Sequence, residues 1–352
     1  MPVFSLKAKF RNLVTRVRER TGFFIFYVLP QLRQVTYEVS IKNLSNQTRN
    51  FFLVMPETRN LESQELKSTP KFDPQVDGIG QDVLLKNKYV IWQVSLQKEE
   101  AKTFRQSFEI LTLPSPVLNL HQNFSFEDYK NVDEQISKNF CSANRFINAD
   151  DHEIKKLARK LKGKDDDVIR VLKRINEFVI QDLEYADPIL GLYSAKEALT
   201  TKKVDCGGFD ALFCAICIAL GVPARVVSGF WAGYGKNSMH AWAEFMLPHG
   251  QWVPVDPSVE QFVRIGKTKK AGRFGFVGSD RVTLSIGCDI PLLLNGEEIR
   301  TDILQNPFIY PREVEKDLDM NIQFLTHSSS GACTWKGAGE CPCCGQKPTL
   351  RK

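Results

Sequence analysis

From Gln34 onward apolar and polar side chains alternate, with Val35, Tyr37, Val39 and Ile41 in one set and Thr36, Glu38, Ser40 and Lys42 in the other. A period of two puts each set on its own face of an extended chain, so the stretch predicts a strand with one face buried. Residues 49–55, 89–96 and 103–113 predict further strands, separated by turn-forming or charged segments at 43–47 and 97–102. Together these elements outline an antiparallel β-sandwich-like domain over residues 31–117, and Pro114 and Pro116 mark its exit.

The period then changes. Residues 151–161 and 165–183 predict helices, the second carrying Val168, Val171, Leu172, Ile175, Phe178 and Val179 on its apolar side. Ser194 and Glu197 have capping-box spacing and open a short helix that ends before Lys202. A buried helix follows over 208–220, with Leu212, Phe213, Ile216 and Leu220 at helical spacing and Gly221 as the stop. Residues 239–247 and 252–256, joined through Pro248-His249-Gly250, read as a hairpin, and 281–286 as a strand. Glycines 272, 275 and 278 are a weak pointer to loops at the rim of a cleft.

Three residues in this second half carry chemistry. Cys206 stands at the start of the apolar helix, where unpaired N–H groups and the helix dipole favour a thiolate, the nucleophilic form. Gly207 and Gly208 leave room there for a substrate carbonyl to approach the backbone. His240, Trp242 and Glu244 share one face of the hairpin's first strand. Folding about His249 sets Asp256 across from 240–242, within reach of the imidazole unless the register slips by one. Cys206, His240 and Asp256 then make a nucleophile, a base and a carboxylate that fixes the base's tautomer.

Four blocks surround these residues: Asp205-Cys206-Gly207-Gly208-Phe209; Leu220-Gly221-Val222-Pro223-Ala224-Arg225 running on to Phe230; His240-Ala241-Trp242-Ala243-Glu244-Phe245; and Trp252-Val253-Pro254-Val255-Asp256-Pro257. In this order and spacing they resemble the core of the transglutaminase-like superfamily. The resemblance is strongest over residues 194–257 and extends back toward 151. It implies a papain-like α+β fold and a Cys-His-Asp site. That family includes protein crosslinkers, deamidases, peptidases and glycan-removing amidases, and some members have lost activity. The expectation is a catalytic domain over 133–320 that transfers acyl groups from protein or peptide amide bonds through a Cys206 thioester, needs no catalytic cofactor, and favours hydrolysis over crosslinking. Oxyanion donors would be the Cys206 N–H and a second group, for which Tyr185 and Thr200 are candidates. The alternative is a binding or scaffold protein that keeps the fold without turnover.

Composition changes this picture little. Of 352 residues 43% are hydrophobic and 25% charged, which excludes bulk disorder and allows two domains. The net charge of +6 is concentrated at the N-terminus, where six Lys and Arg residues face one Glu in the first twenty, so no basic groove for nucleic acid is expected. That segment, residues 1–30, has Leu6, Phe10, Leu13, Val14 and Val17 at helical spacing. A helix docked on the next domain or a frayed start is favoured over contact with an anionic membrane surface. The apolar run at 22–29 is too short to span a bilayer and lacks a cleavage site, which fits a cytoplasmic protein.

Nine irregularly spaced cysteines fit a reducing compartment. Cys214 and Cys217 are expected to pack inside the apolar helix. In residues 326–352, Cys341-Pro342-Cys343-Cys344-Gly345 contains a zinc-knuckle turn, and Cys333, Cys341 and Cys344 with His327 or Cys343 could hold a structural Zn²⁺. A thiol-rich tail without metal, or one with a redox role, is the competing reading.

Overall fold

The computed structural model describes residues 28–116, 123–234 and 237–328. The basic N-terminal segment and the cysteine-rich tail, with Cys333, Cys341, Cys343 and Cys344, lie outside the described residues. The alternating stretch at the start forms the strand Gln31–Asn43. Val35, Tyr37, Val39 and Ile41 are buried, as the period of two requires.

Two four-strand paths stack into the expected sandwich. In the first, Gln31–Asn43 lies between Leu318–Ser328 and Ala101–Thr112, and Gln64–Leu66 and Lys71–Asp73 pair along the far edge of Ala101–Thr112. In the second, Arg49–Glu57 lies between Phe308–Tyr310 and Lys88–Leu96, and Gly78–Gln81 forms the edge. Inward faces of both meet in one apolar core around Tyr37, Leu53, Trp92 and Phe104. The sandwich is therefore not confined to residues 31–117: 308–310 and 318–328, from beyond the second half, complete both sheets. His327 sits on the last of these strands opposite Gln34.

Between these ends the chain builds an α+β unit. An antiparallel sheet runs Trp252–Val255, Met239–Met246, Ala224–Trp231, Arg281–Ile286. The helix Cys206–Ala219 packs on one face, against Ala224, Val226, Ala241, Ala243 and Phe245. Its near-uniform apolarity is explained by enclosure, because Val168–Asp182, His152–Lys162 and Ala195–Thr201 surround it. Cys214 and Cys217 are fully buried within it. On the opposite face Val227, Trp242, Val277 and Ile286 cluster. Phe230, Val282 and Leu284 join the sandwich core, so the two units share apolar packing. Among the described residues no helix is long and apolar enough to cross a membrane.

Candidate active site

The helix that begins at Cys206 is set by its cap. Asp205 accepts from the Gly208 N–H at 3.3 Å and, through its other oxygen, from Ile189 at 3.1 Å. Cys206 is the first helical residue, so its N–H lies outside the intrahelical ladder and is available to a ligand. Glycine at 207 and 208 answers a packing demand as well as the expected need for open backbone. A Cβ at Gly208 would stand 2.5 Å from the Val204 Cβ, and one at Gly207 would stand 2.6 Å from Leu192. Gly208→Ala is expected to cost about 1–3 kcal/mol by overpacking. A lowered urea midpoint at unchanged slope is the measurement.

The hairpin has the register the sequence argument needs. Ala243 pairs with Val255 and Met246 with Trp252, which carries Asp256 beside the His240 end of the neighbouring strand. His240 Nε2 lies 2.8 Å from Asp256 Oδ2. The ring nitrogen left for proton exchange is Nδ1. Asp256 is fully buried and heavily engaged: Oδ1 accepts from Val259 N–H at 3.1 Å and Ser258 Oγ at 3.2 Å, and Oδ2 also accepts from Arg281 Nη1 at 2.8 Å. Burial alone would raise its pKa, but the His240 and Arg281 partners prevail and hold it at about 2. Gly272 is the neighbour that makes this approach possible, since a Cβ there would stand 2.7 Å from Oδ2.

Arg281 is the residue the sequence argument missed. Its guanidinium also donates to the Ala271 carbonyl and lies over the rings of Trp231 at 4.5 Å and Trp242 at 5.1 Å. Trp231 stacks on His240 with centroids 4.2 Å apart and planes 19° apart. Gln305, another residue from the far end of the chain, donates to the backbone carbonyls of His240 and Gly229 at 2.9 and 2.8 Å. The visible signal for Arg281 was a lone charge opening an apolar strand whose every position is buried.

Cys206 is 8% exposed, and Tyr185 and the Ala241 backbone lie against its thiol. Its titration departs from the helix-start expectation. Burial pushes the thiol pKa well up, with Asp205, Asp210 and Asp256 adding to the effect, while the Ala241 backbone works against them. His240 moves the other way: burial lowers its pKa and Asp256 offsets part of this. Both directions favour a neutral thiol and a neutral imidazole at rest. Helix-terminal N–H groups favour the thiolate locally, and burial in the finished fold outweighs them. Asp210, one turn along the helix, is fully buried with neither carboxylate oxygen hydrogen-bonded, and burial raises its pKa strongly.

Of the two oxyanion candidates, Tyr185 is at the site, its hydroxyl pKa raised by burial and by Cys206. Thr200 is exposed and donates to the Lys196 carbonyl. A cavity of about 370 Å³ lies on the His240 face of the sheet, between Trp242, Glu244 and Arg281 and the sandwich residues Leu61, Ser63 and Leu113. Among the described residues no group of three or more His, Cys, Asp and Glu side chains could hold a metal ion.

Residues 155–257 match the family model of the transglutaminase-like superfamily, and this stretch is a transglutaminase-like core domain. The whole fold is similar to that of a protein described as a putative cysteine protease from Cytophaga hutchinsonii, at 16% identity and a TM-score of 0.59, covering 88% of this chain and 94% of that one. Looser similarity extends to the periplasmic domain of TgpA from Pseudomonas aeruginosa, at 12% identity and TM-score 0.37 over 69% of this chain and 92% of that one. Red sea bream transglutaminase is similar at 12% identity and TM-score 0.30, over 80% and 62%. No curated protein matches the chain. The core domain and the fold support a family of thiol-dependent acyltransferases and peptidases.

Proposed function

We propose that the protein is a thiol-dependent acyl-transfer enzyme acting on protein or peptide amide bonds, with Cys206 as nucleophile, His240 as general base and acid, and Asp256 as the orienting carboxylate. The observation that carries the reading is the 2.8 Å bond between His240 Nε2 and a fully buried Asp256, on the strand whose Ala241 backbone touches the Cys206 thiol.

In this reading the neutral thiol attacks the substrate carbonyl as its proton passes to His240 Nδ1. The S–C bond forms and the carbonyl oxygen takes up negative charge beside the Cys206 N–H and the Tyr185 hydroxyl. His240 returns the proton to the departing amine as the C–N bond breaks, leaving a thioester. Water, deprotonated by His240, then releases the acid and restores the thiol. Asp256 stabilises each imidazolium without itself being protonated, which its low pKa favours.

p-Nitrophenyl acetate tests the scheme without knowledge of the natural substrate. The expected result is a stoichiometric burst of p-nitrophenolate with one acetyl group on Cys206, converted by hydroxylamine to the hydroxamate. A burst of equal size in Cys206→Ala would remove Cys206 as the nucleophile, and none in the native protein would overturn the assignment in favour of a non-catalytic scaffold.

A further inference from the structure

Lys270 stands beside the site, against the ring that stacks on His240. Its ammonium lies 3.9 Å from the centroid of Trp231 and 4.8 Å from that of Tyr234, and Trp231 is the ring stacked on His240. It is half-buried, and among the described residues no carboxylate comes within ion-pairing distance of it. The nearby acids are otherwise engaged: Asp280 accepts from the Tyr234 hydroxyl at 2.5 Å and lies 3.5 Å from Arg281, and Asp256 is held by His240 and Arg281. Aromatic faces attract a cation but do not replace an anion. A half-buried positive charge, drawn by Asp280 but without an ion pair, therefore stands one ring away from the base.

We infer that Lys270 is a specificity-determining residue, selecting acyl donors that carry a carboxylate next to the reacting carbonyl. This inference rests on the acyl-transfer reading above. The carboxylate belongs either to an acidic side chain on the acyl side or to the free C-terminus of the group that leaves. Its arrival supplies the counter-ion that Lys270 lacks and removes a positive charge that opposes protonation of His240. Substrate binding and base function are linked through Trp231.

Burial, opposed in part by Asp280 and reinforced by Arg281, lowers the Lys270 pKa to about 8, with Asp256 and Cys206 also acting to raise it. Selection should thus fade as pH rises through that value. Lys267 and Lys269 on the same loop are exposed, and their charges are screened by water and salt.

The test compares Cys206 alkylation by iodoacetate with alkylation by iodoacetamide, read by peptide mass spectrometry. Both reagents consume the same Cys206 thiol, so the ratio of their rates isolates the effect of the carboxylate. Lys270→Met is expected to lower the ratio roughly five- to tenfold, Lys270→Arg to retain it, and Lys270→Glu to lower it further. In the native protein the ratio should fall between pH 7 and 9 and at high salt. A ratio unchanged in both Lys270→Met and Lys270→Glu overturns the inference while leaving the enzyme reading intact. Lack of reaction with either reagent in the native protein would overturn both.

Two ester pairs separate the sources. Preference for mono-p-nitrophenyl succinate over p-nitrophenyl butyrate assigns the carboxylate to the acyl side. Preference for S-acetylthioglycolate over S-ethyl thioacetate assigns it to the leaving group. Loss of the preference in Lys270→Met supports the inference in either case, and absence of any preference on both sides overturns it.

Discussion

His240→Ala should slow Cys206 alkylation by iodoacetamide near pH 7 by about 10²-fold or more, with the residual rate rising tenfold per pH unit as the thiol titrates unaided. The reason lies in the burial of both groups. The thiol stands against Asp205, Asp210 and Asp256 in a site that penalises its charge, so the free thiolate fraction at neutral pH is small. Reactivity then depends on a base that takes the proton as the S–C bond forms. An alkylation rate in His240→Ala within threefold of the native protein would show that His240 does not serve Cys206. A helix-start cysteine with a preformed thiolate would give that second result, and its rate would already be flat with pH around 7.

Arg281→Leu is expected to destabilise the protein by about 3–5 kcal/mol, read from urea unfolding. Arg281 is 5% exposed and donates to an Asp256 that is fully buried. Removing it strands a carboxylate whose remaining counter-charge is an imidazole that burial keeps mostly neutral. The same substitution changes acid stability, and the sign can be worked out. A native Asp256 pKa of about 2, below its ordinary value near 3.9, stabilises the fold above that ordinary value. That contribution is lost as pH falls from about 4 toward 2. In Arg281→Leu the folded-state pKa rises, so this contribution shrinks at neutral pH and the variant unfolds at higher pH on acidification. A midpoint unchanged in both urea and acid would mean that the His240, Ser258 and Val259 bonds suffice to hold the carboxylate.

The parts of the site that were legible in the sequence are those fixed by local period. Val35 to Ile41 alternate and form a buried stripe. The Ser194–Glu197 capping box is formed. The hairpin through residues 248–250 sets the register that brings Asp256 to His240. Each of these needs only neighbours within about twenty residues. Arg281 reaches Asp256, Gln305 reaches the His240 backbone and Lys270 reaches Trp231, from strands and loops whose order in space the local pattern does not contain. The strand Leu318–Ser328 shows the same limit. Nothing local says that its partner is Gln31–Asn43, and the sequence pattern places the end of the sandwich at residue 117. The Cys206 thiol marks a different limit, because helix-terminal electrostatics are local whereas desolvation is a property of the finished fold.

The pairing of those two strands has a consequence for a nascent chain. Gln31–Asn43 leaves the ribosome well before its partner, and one of its edges stays open until Leu318–Ser328 follows nearly three hundred residues later. At about 5–20 residues per second, that exposes an unpaired strand edge for roughly a quarter of a minute to a minute. Gln305, which fixes the backbone of His240, is made 65 residues after it. Cys206, His240 and the residues that support them therefore come together only after residue 305 has been made, and a chain truncated before it would carry Cys206 without the Gln305 bond that holds the His240 backbone.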